Sequence, residues 1–149
     1  MRTAREFASM AEAQAGVARW RKYGRDPSVG FDCGGFLLWL LAATGHDVDA
    51  LMRSRAHDVA MPDPAWVRGL CDRFGDLVPP TDNGEGRVGL CAFGTVEPRH
   101  LVVMLADRRI AHADAQARGV VAVPSSWLDD RLVATYRVRG LEYGAPWQP

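Results

Sequence analysis

The chain has 149 residues, the length of one domain, and its 48% hydrophobic and 24% charged residues are typical of a globular protein. Lysine and arginine together number 18, as do aspartate and glutamate. The balanced charge argues against nucleic acid or an anionic membrane surface as the principal partner.

Targeting segments and cysteine spacing narrow the possible class of protein further. The N-terminal segment has no apolar run typical of a signal peptide, and no stretch approaches the about 20 apolar residues of a membrane-spanning helix. We therefore expect a protein made in the cytoplasm without a signal peptide and with no membrane span. Cys33, Cys71 and Cys91 fit neither a disulfide framework nor a zinc knuckle.

Helices are predicted in the first half of the chain. An alanine-rich helix is predicted over residues 3–19, and a loop follows at Tyr23–Gly30. Asp32 is a good N-cap for the next helix, which is apolar on all sides from Phe36 to Ala43 and ends near Gly45. Such a helix is expected to be buried. Residues 46–62 are hard to assign, and a further short helix is predicted to begin at Asp63-Pro64.

Strands are predicted in the second half, after a loop at Val78–Gly86. Strand-like runs occupy residues 88–93, 101–105, 109–114, 119–123 and 132–138. This order predicts an α+β fold with an antiparallel sheet of about five strands. We expect one domain over residues 1–140 and a tail over 141–149. The tail is either an unimportant end or an arm that docks on a partner, and an exposed Trp147 would favour the arm.

Cys33 directly follows the predicted N-cap of the buried helix. The helix dipole and the unpaired N–H groups there favour a reactive thiolate. Gly34 and Gly35 leave space for a substrate carbonyl beside the sulfur, and nearby N–H groups can stabilise an oxyanion. The alternative is that Cys33 is a small buried residue, the commoner fate of a lone cysteine. Its position alone does not separate the two interpretations.

Two histidines in the strand-rich half would complete a cysteine–histidine site. His100 and His112 lie on the two strands of a predicted hairpin. A two-residue turn would place them on opposite faces of the sheet. A three-residue loop at Ala106–Arg108 would pair His100 with Asp114 and make His112 its diagonal neighbour on the same face. We therefore predict an odd-length loop or a bulge.

A metal site is the alternative use of the remaining histidines. His46 and His57 would have to combine with Cys71 or Cys91, and no pair has the usual zinc spacing. The sequence therefore predicts neither a metal site nor a cofactor.

The segments GFDCGG, RHLVVML and IAHADAQARGVV, in this order, resemble the NlpC family of papain-like cell-wall peptidases. The resemblance covers about residues 16–139 and includes the twelve-residue step between the two histidines. It implies a papain-like fold with Cys33 as nucleophile, His100 as base and His112 as the residue that orients the base. The implied substrate is the stem peptide of peptidoglycan, with no cofactor.

The substrate subsite departs from the family pattern. The family's serine after the cysteine is Gly34 here, and its tyrosine about a dozen residues upstream is replaced by Arg21. The resemblance implies substrate binding by Asp32 and Gly34, with Tyr23 and Trp20 near the lost tyrosine.

This domain, in whose sequence we see no signal peptide or wall-binding module, is similar to the NlpC-family domains encoded in phage and gene-transfer-agent tail modules. This similarity implies a protein carried on a phage-like particle beside other tail-tip proteins, where it opens the wall for DNA entry. Two alternatives stay open: a structural tail-tip protein with little activity, and a cytoplasmic cysteine amidase or acyltransferase acting on a small molecule.

Overall fold

The structure, a computed structural model, describes residues 2–54, 64–93 and 97–149. The helices are α1 (Ala4–Ala13), α2 (Cys33–Ala43), α3 (Asp49–Ser54) and α4 (Pro64–Phe74). The strands are β1 (Arg2–Thr3), β2 (Arg25–Asp26), β3 (Gly30–Phe31), β4 (Gly75–Val78), β5 (Val88–Cys91), β6 (His100–Met104), β7 (Arg109–Asp114), β8 (Gly119–Pro124), β9 (Leu132–Val138) and β10 (Leu141–Glu142).

The main sheet has six strands in the order β4-β9-β5-β6-β7-β8, and each neighbouring pair is antiparallel. The α+β class and the five predicted strands are confirmed. The sixth strand, β4, was missed because it follows α4 without a loop and has only four residues. Val78, which was predicted to begin a loop, ends this strand.

Helix α1 is shorter than predicted. A capping box between Thr3 and Glu6 begins it, and it ends at Ala13 rather than continuing to residue 19. The chain turns at Gly16, whose φ is +73°, and the Gly16 amide donates to the Val120 carbonyl of β8. Pairing with the edge of the sheet therefore replaces the last turns of the predicted helix.

Helix α2 is the buried central helix that the sequence predicts. Its residues from Cys33 to Leu38 are all buried, and Gly45 follows its C-terminus with a φ of +91°. One face of the sheet, with Leu101 and Val103, packs in the same hydrophobic core as α2. Alternate residues face the other side, where Val102 and Met104 form a second cluster against Trp127 and Trp147. The helix thus covers one face of the sheet and a tryptophan-lined cluster covers the other.

The C-terminal residues pack against the domain. Strand β10 pairs with β1 in parallel. The indole of Trp147 is half-buried and donates to the Leu105 carbonyl at 3.0 Å, while its amide donates to Asn83 at 2.7 Å. The exposed tryptophan that would favour a docking arm is therefore not found.

Arg87 lies beneath this C-terminal segment and is fully buried. Its guanidinium donates to Asp82 at 2.8 Å and to the Gly144 carbonyl at 3.1 Å, and it stacks over the Tyr143 ring. Burying a charge is costly unless it is paired and hydrogen-bonded. The C-terminal segment supplies part of that pairing.

No helix in the described part of the chain is long and apolar enough to cross a membrane.

Candidate active site

The first turn of α2 is held by a buried carboxylate. Asp32 is 5% exposed, and it caps the helix as predicted: its Oδ1 accepts from the Gly35 amide at 2.8 Å. Its Oδ2 accepts from the Tyr23 amide at 3.0 Å. The same carboxylate therefore begins the helix and ties the preceding loop to it.

Glycines let that loop lie against the helix. A Cβ atom on Gly35 would sit 1.7 Å from the Gly24 carbonyl oxygen, and one on Gly24 would sit 2.1 Å from the Gly30 carbonyl oxygen. Contact with the chain's own backbone thus requires Gly35, a reason that was not predicted, and the space for a substrate carbonyl stays a prediction. Gly34 is buried beside it.

Cys33 lies at the start of this tightly packed turn and is 7% exposed, so its thiol is shielded without being sealed from solvent. The sulfur lies 3.6 Å from the Arg99 carbonyl oxygen, to which the thiol donates. Arg99 immediately precedes His100, the first residue of β6. The fold therefore brings the Cys33 thiol to the start of β6, where its contact, Arg99, is next in the chain to the predicted base.

The hairpin β6–β7 has the predicted register. Ala106–Arg108 form its three-residue loop, with Asp107 and Arg108 at positive φ, and Met104 pairs with Ile110. His100 Nε2 and His112 Nδ1 lie 2.7 Å apart, a hydrogen bond between the two rings. The predicted odd-length loop and the same-face histidine pair are both confirmed.

Burial disfavours the charged forms of both rings. Desolvation lowers the pKa of His100, the nearby His112 lowers it further, and Asp114 opposes these effects. His112 is 2% exposed, and burial likewise lowers its pKa against an opposing effect of Asp114. Both rings are therefore neutral at neutral pH, and one of them donates the shared hydrogen bond.

Two aromatic side chains enclose the histidine pair. The Trp127 ring lies 4.6 Å from the His112 ring and 5.7 Å from the His100 ring, measured between centroids. Phe93 lies 5.7 Å from His100 and 5.9 Å from Trp127, yet it is 52% exposed. Trp127 keeps water from the inter-ring hydrogen bond, and Phe93 presents an apolar surface beside it. Phe93 was not predicted as a site residue, since it ends a predicted strand whose pattern resembles ordinary core.

The other predicted substrate-binding residues have different positions. Tyr23 lies in the loop above α2, has a φ of +61°, and reaches Asp32 through its backbone amide. Trp20 packs against the main core, and its amide donates to the Arg118 carbonyl at 3.0 Å. The structure thus brings Tyr23, Asp32 and Gly34 to the turn that carries Cys33, whereas the Trp20 side chain packs against the main core.

The two remaining cysteines are core residues. Burial raises the pKa of Cys71 and that of Cys91 to about 12, so both thiols stay protonated. His57 lies outside the described residues. Within the described ranges, no group of three or more histidine, cysteine, aspartate or glutamate residues is arranged to hold a metal ion.

Solved structures match this chain, whereas no protein-family model and no curated protein does. The NlpC/p60 domain of the peptidoglycan hydrolase SagA matches with a TM-score of 0.61 and 18% identity, over 91% of this chain and 99% of that domain. The P60 domain of an antigen from Mycobacterium avium subspecies paratuberculosis matches with a TM-score of 0.58 and 20% identity, over 94% and 96%. The chain has the NlpC/P60 fold.

A third match shows how the domain relates to longer NlpC/P60 proteins. A Staphylococcus aureus protein described as similar to a lipoprotein of the NLP/P60 family has a TM-score of 0.61 and 16% identity. The match covers 95% of this chain but 42% of that protein, so the chain spans less than half of its length. The papain-like architecture expected from the motifs is confirmed, and the roles of Cys33, His100 and His112 stay predictions.

Proposed function

We propose that this protein is a cysteine peptidase that hydrolyses stem-peptide bonds of bacterial peptidoglycan. The observation that carries the proposal is the hydrogen-bonded pair of His100 and His112. His100 begins β6, directly after Arg99, whose carbonyl accepts from the Cys33 thiol. The NlpC/P60 fold supports the substrate class, since one structural neighbour is a domain of a peptidoglycan hydrolase.

The two rings determine how a proton would move. His100 Nε2 is engaged with His112, which leaves Nδ1 of His100 as the nitrogen that takes the thiol proton. For this, neutral His100 must be protonated on Nε2, whose N–H donates a hydrogen bond to the bare Nδ1 of His112. His112 then carries its own proton on Nε2. In this arrangement His112 fixes the tautomer and direction of the base.

The reaction then proceeds by acyl transfer. The Cys33 thiolate attacks an amide carbonyl carbon, and the developing oxyanion accepts a hydrogen bond from the Cys33 amide. The Gly35 and Phe36 amides are engaged by Asp32, so they are not used for the oxyanion. The imidazolium of His100 protonates the departing amine, leaving a thioester. Water, deprotonated by His100, releases the acid and restores the thiol.

The test is digestion of purified sacculi followed by mass spectrometry of the released fragments. Wild type and a Cys71→Ala variant are expected to release stem-peptide fragments, while Cys33→Ala releases none. Both variants remove a buried thiol, so the control separates chemistry from packing. Release by Cys33→Ala equal to that of wild type would overturn the proposal.

Delivery of this activity is a separate proposal. We infer from the similarity of the GRDPSVGFDCGG segment to phage and gene-transfer-agent versions that the protein travels on a phage-like particle. There it would contact other tail-tip proteins and open the wall. Mass spectrometry of purified particles from producing cells should find the chain in stoichiometric amounts, and its absence from intact particles would refute this role.

A further inference from the structure

A group of positive charges borders the candidate nucleophile. The whole chain has balanced charge, but residues 19–31 contain four arginine and lysine residues and a single acidic residue, Asp26. The Trp20 amide donates to the Arg118 carbonyl, and Arg19 bridges to Gly119, so the turn before β8 adds a further cation. We define the cationic rim as Arg19, Arg21, Lys22 and Arg118, all of which are exposed.

The rim differs in its partners from several arginines elsewhere in the chain. Arg87, Arg109, Arg137 and Arg139 each form a salt bridge to a carboxylate. Among the described residues, no carboxylate forms a salt bridge with any member of the rim. Asp26, the acidic residue within the same segment, accepts hydrogen bonds from Ser28. The rim therefore presents four exposed positive charges, none in a salt bridge among the described residues, in a region whose exposed carboxylate is Asp26.

The rim lies next to the start of α2. Residues 21–24 form a turn closed by a 2.8 Å hydrogen bond from the Gly24 amide to the Arg21 carbonyl. That turn is tied to the helix by the bond from Tyr23 to Asp32, and Gly24 packs on Gly35. The backbone of residues 21–24 is thus held against the turn that carries Cys33, which places Arg21 and Lys22 on the loop that borders this turn.

The negative charge of Asp32 is unavailable on the surface. Asp32 is buried, and each of its carboxylate oxygens accepts a backbone amide. The exposed carboxylate of the neighbouring segment is Asp26, which accepts from Ser28, and the four exposed cations of the rim outnumber it. The surface beside the nucleophile is therefore complementary to an anionic group.

We propose that the cationic rim binds carboxylate groups of the peptidoglycan stem peptide and so selects the anionic stretch of the substrate. This rests on the proposed function, because glutamate and diamino-acid residues of the stem supply free carboxylates beside the cleaved amide. The rim raises the local concentration of the substrate and orients it, while the chemistry stays with Cys33 and the two histidines.

Binding is measured separately from cleavage, in the Cys33→Ala background, by co-sedimentation with sacculi freed of attached phosphate polymers. The rim variant carries Arg19→Gln, Arg21→Gln and Arg118→Gln. Its charge-matched control carries Arg2→Gln, Arg68→Gln and Arg108→Gln, three exposed arginines on other elements. The rim variant is expected to bind about tenfold more weakly at low salt, and the control is expected to bind like its parent.

Two further arms identify the partner group. Amidation of the sacculus carboxylates should weaken binding of the parent to the level of the rim variant, and lysine at the three rim positions should restore binding. Equal binding by rim variant and control, or unchanged binding to amidated sacculi, overturns the proposal. Binding that disappears with the phosphate polymers also overturns it. Failure of the wild type to cleave sacculi that its Cys33→Ala form binds would instead contradict the proposed function alone.

Discussion

The two ends of α2 hold their polar groups in different ways. At the C-terminal end, the ring of His46 lies 2.7 Å from the Arg139 carbonyl through Nε2 and 3.2 Å from both the Leu41 carbonyl and the Thr44 hydroxyl through Nδ1. At the N-terminal end, the Cys33 thiol has a long contact to the Arg99 carbonyl, and the neighbouring Asp32 carboxylate accepts from two backbone amides.

This difference separates a structural histidine from the candidate active site. His46 has a partner for each ring nitrogen in either protonation state: Thr44 donates to a bare Nδ1, and Leu41 accepts from a protonated one. His100 uses Nε2 for His112, and in the proposed mechanism Nδ1 accepts the thiol proton. Residue type alone does not distinguish the two histidines, whereas their hydrogen-bond partners do.

The largest effect is expected from replacing the base. His100→Gln keeps a polar side chain but cannot accept the thiol proton, so we expect kcat/KM on sacculi to fall by about a thousandfold or more. His46→Gln, at the other end of the helix, should leave kcat/KM within a factor of two of wild type. Comparable losses in both variants would mean that the difference between the helix ends is not catalytic.

Close packing beside Cys33 predicts the largest change in stability. Gly35→Ala places a methyl group 1.7 Å from the Gly24 carbonyl oxygen, which the backbone cannot avoid without moving. We expect the free energy of unfolding to fall by about 3 kcal/mol or more. Gly69→Ala is the matched change on α4, where nothing lies within 4 Å, and it should raise that free energy by about 0.5–1 kcal/mol. Urea denaturation measures both, and a harmless Gly35→Ala would contradict the close contact.

Thiol labelling tests whether Cys33 differs chemically from the other cysteines. We expect iodoacetamide at neutral pH to modify Cys33 in the native protein and to spare Cys71 and Cys91, whose pKa values are raised to about 12 by burial. All three should react in denaturant, and peptide mapping locates the label. A native protein that labels evenly at the three positions would remove the distinction.

A smaller effect concerns the pH dependence of stability. The pKa values of His100 and His112 lie below 6.5 in the folded state, so the unfolded chain binds more protons as the pH falls through 6.5. The free energy of unfolding should therefore decrease between pH 6.5 and 5, by up to about 1.4 kcal/mol per pH unit for each histidine.

A double variant isolates this contribution. Replacing His100 and His112 with glutamine removes both groups, so the slope of stability against pH over that window should flatten. Urea titrations of wild type and variant at several pH values measure the slope. An unchanged slope would show that these two rings do not carry the dependence.

Local features of the sequence predicted most of the fold and the histidine pair. A three-residue hairpin loop determines which strand positions share a face, so the twelve-residue spacing brings His100 and His112 together once that loop is chosen over a two-residue turn. Asp32 was likewise recognisable as an N-cap from its position before an apolar run. These inferences needed no knowledge of distant contacts.

The features that the sequence did not reveal depend on distant segments meeting. The role of Gly35 follows from its contact with Gly24, and the exposed position of Phe93 beside Trp127 follows from the packing of two separate connections. The four-residue strand β4 is too short to give a pattern of its own. Pairing with β9 is what makes it a strand.

The pairing of β1 with β10 has a consequence for synthesis of the chain. Arg2 and Thr3 have Leu141 and Glu142 as their strand partners, and the Arg87 guanidinium is paired in part by Gly144. The ribosome makes Leu141 and Glu142 long after Arg2 and Thr3. Strand β1 therefore has no strand partner until almost all of the described residues have been made. Arg87 likewise gains its bond to the Gly144 carbonyl only then.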